Sequence, residues 1–340
     1  MRLLISSIIL FIGAVACSSA TDNKPATDAT KNAPNSHQSP SESSAMTFNK
    51  DSAYKYVADQ VAFGPRVPGS PAHKACAKYL IDRLSGYGVN VETQRTDLTD
   101  ISGNTFEMIN IIGHINPEAS KRILLLAHWD SRPWADNDPD PANHKTPIDG
   151  ANDGASGVAV ILEVARQLQL SSLDNLGVDI LLTDAEDSGL SAPEDATPDQ
   201  VQQYENSWCL GTQHWIKSNP WRDTPRPQFA ILLDMVGGRD ATFPIEYFSY
   251  QYAPDIVNLV LEASRKAGTT DRFPTQIGGA INDDHIHLNS AGIPTVDIIQ
   301  TSHSGFNPTW HTIQDNLSNI DRATLAAVGH TILTLLLQQQ

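Results

Sequence analysis

The pattern of apolar and polar positions changes near residue 50, where the chain begins to alternate between two kinds of segment. In one kind the apolar residues lie three or four apart, as on the buried face of a helix. This spacing predicts helices at residues 52–63, 71–84, 155–170, 211–217, 256–267, 284–291 and 321–337. The other kind alternates or is almost continuously apolar, which predicts strands at residues 89–96, 108–115, 122–127, 178–183, 229–236 and 294–299.

Strands and helices alternate along most of this length, and that order predicts an α/β fold. We expect a three-layer sandwich with a central mixed, mostly parallel sheet and helices on both faces. In such folds, ligands bind beyond the carboxyl ends of the strands. The side chains that follow each predicted strand are therefore the first candidates for a functional site.

The start of the chain has a different pattern. Arg2 precedes an apolar run at residues 3–15, and small residues lie just before Cys17. The run is short for a membrane span, so residues 1–16 are interpreted as a signal peptide. Because it ends on a cysteine, this segment resembles a bacterial lipoprotein signal, in which Cys17 would be lipidated. An ordinary signal peptide with an incidental cysteine is the alternative.

Residues 17–46 are rich in Ser, Thr, Asn, Pro and Lys and have almost no apolar side chains. Such a segment buries too little apolar surface to offset the entropy lost on ordering. We therefore expect a disordered tether that joins the lipidated Cys17 to a folded domain at residues 47–340. Ser18, not aspartate, follows the cysteine, which resembles the pattern of lipoproteins sorted to the outer membrane. The resemblance implies an exported protein, anchored by its lipid and facing the periplasm.

The charge balance restricts the partners. The 340 residues include 39 Asp and Glu but only 23 Lys and Arg, which gives a formal net charge of −16. Such a surface repels nucleic acid and anionic membranes, so we expect no nucleic-acid partner and no membrane contact beyond the anchor. The chain is expected to be a monomer. Apart from Cys17, only Cys76 and Cys209 are present, too few for a disulfide scaffold or a cysteine-based zinc site. These two could pair or remain separate buried thiols.

Imidazole and carboxylate side chains recur at the ends of the predicted strands. Alone, each has an ordinary explanation: Asp153 could cap the helix that follows it, Asp234 could be a satisfied buried carboxylate, and His128 could be structural. Together they place several acids at one edge of the sheet, where burial is costly without a cation. A mixed set of His and Asp suits zinc, with one position left open in a catalytic site. The side chains at these positions are His128, Asp130, Asp153, Asp184, Glu186, Asp187, Asp234 and His311.

Several catalytic motifs of other enzyme classes do not occur in the sequence. No His-Glu-x-x-His segment exists, which argues against a helix-borne zinc protease. No Gly-x-Ser-x-Gly segment exists, which argues against an α/β-hydrolase. A phosphate-binding loop and a dinucleotide fingerprint are missing too, so the residues at the strand ends carry the metal-binding interpretation.

Six strings carry a resemblance to a known superfamily. In chain order they are AHWDSRPWADNDPD, DGANDGASGVAVILEVARQL, LLTDAEDSG, ILLDMVGG, INDDHIHL and TWHT. Their order and spacing resemble the zinc aminopeptidase superfamily and, within it, the branch of glutaminyl cyclases, over nearly all of the predicted folded domain. The resemblance implies that residues 47–340 form a zinc-dependent catalytic domain that acts on peptide N-termini.

The two activities within this superfamily differ in their metal sites. The resemblance to glutaminyl cyclases implies one zinc ion, held by Asp153, Asp187 and His311. The resemblance to aminopeptidases implies two zinc ions, with His128 and Asp234 completing the second site. Many relatives have glutamate where this chain has Asp187, whose shorter side chain still offers oxygen ligands. The identity of the ligands therefore leaves both activities open.

Two segments favour the cyclase. INDDHIHL resembles the cyclase segment whose first aspartate helps to bind the substrate amine, and this position is Asp283. The segment before His311 resembles a cyclase loop with an aromatic substrate pocket, and the matching residues are Phe306 and Trp310. For Trp310 alone, a place in the core is the simpler explanation. One departure is Asp297, where animal cyclases tend to carry histidine.

The implied reaction is the cyclisation of an N-terminal glutamine to pyroglutamate with release of ammonia. Zinc would polarise the side-chain amide, and Asp283 would hold the amine. Glu186 would move a proton from the attacking amine to the leaving nitrogen, and Asp234 would orient Glu186 or Asp283. The expected partners are peptides or proteins with N-terminal glutamine.

Other functions remain possible from the sequence alone. In a di-zinc aminopeptidase Glu186 would instead activate a metal-bound water, and a free amino acid would be released. In a third hypothesis the chain is a non-catalytic binding lipoprotein on a decayed enzyme scaffold. That hypothesis predicts loss of the zinc ligands or of Glu186, and neither loss is visible.

Overall fold

A six-stranded sheet forms the centre of the computed structural model, which describes residues 46–170, 173–222, 224–302 and 305–340. The strands are β1 (Asn90–Thr99), β2 (Thr105–Ile115), β3 (Lys121–His128), β4 (Leu176–Thr183), β5 (Phe229–Asp234) and β6 (Thr295–Ile299). Their order across the sheet is β1-β2-β4-β3-β5-β6. The pairs β4 with β3, β3 with β5 and β5 with β6 are parallel, whereas β2 is antiparallel to both of its neighbours. The predicted mixed, mostly parallel sheet is confirmed.

Helices cover both faces of this sheet. In the described part of the chain they are α1 (Lys50–Val61), α2 (Pro71–Gly86), α3 (Ala155–Gln169), α4 (Pro198–Glu205), α5 (Leu210–Lys217), α6 (Tyr247–Tyr252), α7 (Pro254–Ala267), α8 (Asp284–Ser290) and α9 (Arg322–Gln338). Leu125 of β3 packs in the larger hydrophobic core with residues of α1, α2, α3, α7 and α9. Its neighbour Leu126 packs in a smaller core with Trp215 of α5 and Leu288 of α8. Alternate strand residues thus face opposite helix layers, which confirms the three-layer sandwich.

The parallel strands bring several chain segments to one edge of the sheet. Since β4, β3, β5 and β6 are neighbours and run in the same direction, their carboxyl ends lie side by side. Beyond this edge lies a two-stranded ribbon of β7 (Thr301–Ser302) and β8 (Gly305–Phe306), which follows β6 in the chain. The edge is the position where an open α/β sheet binds its ligands.

Several boundaries differ from the prediction for local reasons. Helix α1 begins at Lys50 because the Asn49 side chain accepts two of the free N–H groups of the first turn, from Asp51 and Ser52. Strand β5 stops at Asp234, two residues earlier than predicted, because Met235 has a left-handed φ of 47°. The sequence analysis missed α4, which buries none of its residues, and α6, which buries only Ser249. Neither helix has the apolar stripe that the pattern analysis detects.

The predictions for residues 1–45, including the signal peptide, the lipidation of Cys17 and most of the tether, lie outside the described residues. Met46, predicted as the end of the tether, packs against the core. Among the helices that the structure describes, none is both long and apolar enough to cross a membrane. Cys76 and Cys209 are both buried, and each is a free thiol.

Candidate metal centre and active site

The side chains that follow the parallel strands converge at the carboxyl edge of the sheet. His128 is the last residue of β3, Asp234 is the last residue of β5, and Asp187 follows β4 within four residues. Asp153 precedes α3, and His311 lies in the segment after β8. All five are buried. The structure therefore brings together the residues that the analysis of the strand ends placed at one edge.

Three of these residues form a group suited to a metal ion. His311 Nε2 lies 3.2 Å from Asp187 Oδ1 and 3.7 Å from Asp153 Oδ2. Asp153 Oδ2 and Asp187 Oδ2 are buried and have no hydrogen-bond partner. Buried carboxylate oxygens without a partner are costly, and a cation would satisfy them. One imidazole and two carboxylates are a donor set that zinc accepts, with room for a further ligand.

A second group shares Asp153 with the first. His128 Nε2 lies 3.0 Å from Asp153 Oδ1 and 3.3 Å from Asp234 Oδ1. The ligand atoms of this group lie within 4.8 Å of one another, as do those of the first group. The donors needed for one or for two metal ions are thus both present in the chain.

Backbone contacts hold Asp153 in place. Asp315 accepts the N–H groups of Asn152 and Asp153 at 2.8 and 3.0 Å. Gly154 follows with φ of 94°, and a side chain there would come within 2.7 Å of the Asp130 carbonyl oxygen. A larger residue would therefore push the Asp153 loop away from the sheet.

The segment after β4 is fixed in the same way. Asp130 accepts the N–H of Glu186 at 3.2 Å and that of Asp187 at 3.3 Å. Ala185, just before them, has a left-handed φ of 54°, and so does His311, at 55°. Non-glycine residues with positive φ cost free energy and concentrate at functional sites. The strained positions are thus one residue of the candidate metal centre, His311, and Ala185, which lies two residues before another, Asp187.

A buried arginine next to Asp187 was not singled out from the sequence. Arg132 Nη1 lies 3.2 Å from Asp187 Oδ1, and its guanidinium donates to both carboxylate oxygens of Asp136. Asp136 Oδ1 in turn lies 3.4 Å from His311 Nδ1. This contact orients the ring and leaves Nε2 directed at the metal group. The sequence indicates this arrangement only through the position of Arg132 and Asp136 soon after β3.

A cavity of about 260 Å³ opens directly on the first group. This volume lies just below the usual range for small-molecule pockets, about 300–1,000 Å³, so it suits a single residue better than an extended peptide. Asp153, Asp187 and His311 all line it, whereas His128 does not. The remaining lining residues are Glu186, Ser191, Trp208, Asp234, Met235, Ala280, Ile281, Asn282, Asp283, Ile299, Phe306 and Trp310.

Aromatic rings form one side of the cavity. The rings of Phe306 and Trp310 lie 4.3 Å apart, and Trp310 stacks on the His311 imidazole at 3.7 Å. Trp310 is only partly buried, so it is not a core residue. The sequence analysis missed Trp208, which also lines the cavity and lies under the Arg132 guanidinium at 4.9 Å. It adjoins no polar motif that could have indicated its place.

Burial changes the acidity of the carboxyl groups at the cavity. It raises the pKa of Glu186 well above its ordinary value; the charge of His128 opposes this effect, and that of Asp283 adds to it. Burial likewise raises the pKa of Asp283, with the charge of Asp234 adding to it. One oxygen of Glu186 and one of Asp283 lie within 4.8 Å of each other. Two acids with raised pKa, close together at a cavity, are suited to holding and moving a proton.

Asp297 and Cys209 lie close to this pair of acids. Asp297 is buried with both carboxylate oxygens unpartnered, and burial together with the charge of Asp283 raises its pKa well above the ordinary value. The Cys209 thiol lies 3.4 Å from Glu186 Oε1 and donates to it. The structure thus places an acid with a raised pKa next to Asp283 and a weak thiol donor next to Glu186.

The metal-free protein should lose stability as the pH rises. Burial and the charge of Asp187 raise the pKa of Asp153 from 3.8 to about 6, and burial and the charge of Asp153 raise that of Asp315 to about 7. A carboxyl with a raised pKa in the folded state is destabilising once the pH exceeds its unfolded value. Between about pH 4 and 7 each of these groups therefore costs folding free energy, so the metal-free Tm should be several degrees lower at about pH 7 than at pH 5.

Thermal unfolding of chelator-treated protein at the two pH values tests this expectation. Zinc-saturated protein is the control, because the cation offsets the charge of Asp153 and should raise Tm most at the higher pH. A metal-free Tm that is equal or higher at pH 7 would show that the carboxylates are not crowded in this way.

Comparisons with known proteins agree with this geometry. The sequence model of peptidase family M28 matches residues 110–336. A glutaminyl-peptide cyclotransferase from Bos taurus is 27% identical over 279 residues, which cover 76% of this chain and 74% of that protein.

Two solved structures are similar over most of both chains. A glutaminyl cyclase from Bacteroides thetaiotaomicron, bound to N-acetylhistamine, is 47% identical with a TM-score of 0.81, and the match covers 86% of this chain and 99% of that one. A Zn-dependent exopeptidase from Parabacteroides distasonis is 50% identical with a TM-score of 0.79, covering 85% and 98%. Proteins at this level of identity are thus named both as glutaminyl cyclases and as Zn-dependent exopeptidases.

Proposed function

Because the chain belongs to peptidase family M28, we propose that it is a zinc enzyme of the glutaminyl-peptide cyclotransferase type, which converts an N-terminal glutamine of peptides or proteins to pyroglutamate and releases ammonia. The observation that carries the choice is that one metal group lines the cavity with all three of its residues, whereas the other lines it only through Asp153 and Asp234. Asp153, Asp187 and His311 line it, but His128 of the second group does not. One accessible ion suffices for an intramolecular attack that needs no water nucleophile.

The shape of the cavity supports the same reaction. Glutamine must fold its side chain back on its own amine, which is largely a task of orientation. The ring pair of Phe306 and Trp310 gives an apolar side against which the folded glutamine side chain can rest.

Asp153, Asp187 and His311 are the proposed ligands of a single zinc ion. When bound there, zinc supplies a Lewis acid that polarises the side-chain amide of the substrate. Asp136 orients the His311 ring, and Arg132 contacts the Asp187 carboxylate, so both ligands keep one geometry.

The remaining acids carry out the proton chemistry. Asp283 has one buried oxygen without a partner at the cavity, and it holds the substrate amine there. Glu186 lies beside it, accepts the proton that the attacking amine releases and returns it to the leaving nitrogen. Asp234 lines the same cavity, and its negative charge raises the pKa of Asp283. Ring closure and departure of ammonia then leave Glu186 ready for another cycle.

The second candidate function is a di-zinc aminopeptidase. The contacts of His128 with Asp153 and Asp234 favour it, because they bring the donors of a second site together. In that reaction two ions would be needed and the product would be a free amino acid.

The number of bound zinc ions distinguishes the single-zinc site from the di-zinc site. We expect protein that is stripped, reloaded and dialysed to retain about one equivalent of zinc by mass spectrometry of the metal. Replacing His128 with Gln should leave that value unchanged, because His128 is not among the proposed ligands of the single ion. Retention of two equivalents, with loss of one in His128→Gln, would contradict the single-zinc site and support the aminopeptidase.

The chain is proposed to act outside the cytoplasm, as a monomer anchored through lipidated Cys17 to the outer membrane. The support is the sequence pattern of residues 1–46. If Cys17→Ser protein still fractionates with the membrane in full, the lipid anchor is wrong.

A further inference from the structure

A buried carboxylate beside the cavity, but not in its wall, makes an unusual number of contacts. Glu246 precedes α6 and is almost completely buried. It accepts backbone N–H groups from Phe248 and Ser249 at 2.9 and 2.6 Å, and the Ser249 hydroxyl at 2.8 Å. It also accepts the N–H of Ile281 at 3.0 Å and contacts His285 Nε2 at 3.1 Å. The first three contacts cap α6, whereas the last two reach other parts of the fold.

The two distant contacts lie on either side of Asp283. Ile281 lies two residues before it and lines the cavity, and His285 lies two residues after it in α8. Asp283 itself caps α8 through its Oδ1, which accepts the N–H of Asp284 at 2.5 Å. Its Oδ2 is buried and has no partner. The direction of this free oxygen therefore depends on the backbone at both ends of the segment, and Glu246 contacts both ends.

We propose that Glu246 is a positioning residue that holds both ends of segment 281–285, and thereby aims the free oxygen of Asp283 at the substrate amine. The proposal rests on the proposed function of Asp283 in binding that amine. The charge of Glu246 matters because its contacts are with donors: three backbone N–H groups, one hydroxyl and an imidazole. Glutamine has the same shape but offers one oxygen and one NH₂, so at least one of these donors would face another donor.

The contacts extend to the strand below the site. The Ser249 hydroxyl, which donates to Glu246, accepts the N–H of Asp297 in β6 at 3.0 Å. The Glu246 carboxylate thus joins α6 to segment 281–285 directly, and the Ser249 hydroxyl extends the connection to β6. Burial opposes ionisation of Glu246, yet the hydrogen bond from His285 lowers its pKa below the ordinary value, which keeps it charged.

The test uses steady-state kinetics with a glutaminyl dipeptide, together with a double-mutant cycle. We expect Glu246→Gln to lower kcat/KM by about tenfold or more, mainly through a higher KM, while the zinc content stays at the wild-type level. In an Asp283→Asn background the same change should cost less than about threefold, because there is no longer a carboxylate to position. An unchanged kcat/KM in Glu246→Gln, or the same loss in both backgrounds, would overturn the proposal.

A matched control separates positioning from helix capping. Asp321 caps α9 by accepting the N–H groups of Ala323 and Thr324, and it does not line the cavity. Asp321→Asn should lower Tm without changing KM.

Should Glu246→Gln not fold, His285→Asn removes the contact on the α8 side alone and must show the same coupling to Asp283→Asn. If the wild type instead releases free glutamine, the proposed function fails, and the same cycle is then measured on that hydrolysis.

Discussion

Replacing Glu186 with Gln should lower kcat on a glutaminyl peptide by about a hundred- to ten-thousandfold, the usual contribution of a general acid–base group. Glutamine keeps the size of the side chain and its contact with the Cys209 thiol, but it cannot accept a proton and pass it on. The zinc content should stay at the wild-type level, because Glu186 is not among the three residues whose atoms surround the candidate ion.

Kinetics and metal analysis of the same preparation check this result. Glu205→Gln is the control, since Glu205 is exposed on α4 and the substitution is chemically identical. A Glu186→Gln enzyme with more than about a tenth of the wild-type kcat would remove Glu186 from the role of proton carrier.

Replacing His311 with Ala should abolish stable zinc binding and, with it, activity. His311 supplies the only nitrogen ligand of the proposed site, and the change leaves two buried carboxylates with a weaker hold on the ion. Loss of an outer contact to a ligand already costs about 10- to 100-fold in metal affinity, so loss of the ligand itself should exceed about a hundredfold.

Zinc titration with a competing chelator measures this loss. His330→Ala serves as the control, because His330 lies on α9 against Phe48 and away from the cavity. If His311→Ala keeps a full equivalent of zinc at wild-type affinity, the ligand set is wrong.

The sheet and the meeting of the five metal-site candidates could be predicted from sequence because both depend on strong local patterns. The runs RILLLA, VDILLT and FAILLD are mostly apolar because each strand is buried on both sides, and parallel strands must end at a common edge. The sequence therefore predicts that the polar residue after each run lies at this edge of the sheet.

What the sequence could not predict depends on contacts between distant segments. Arg132, Asp315 and Glu246 act on the backbone or side chain of residues that lie 35 to 163 positions away. No periodicity connects such pairs. Trp208 reaches the cavity from the turn before α5, where its burial cannot be inferred from neighbouring residues. The metal count stayed open for a geometrical reason, because Asp153 belongs to both groups of donors and only the cavity distinguishes them.

The most direct test is mass spectrometry of a glutaminyl dipeptide incubated with the purified protein, with and without a zinc chelator. The account predicts loss of one ammonia from the dipeptide, with the peptide bond intact and the reaction suppressed by the chelator. Chelator-sensitive release of free glutamine would contradict it, and would assign His128 and Asp234 to a second metal site.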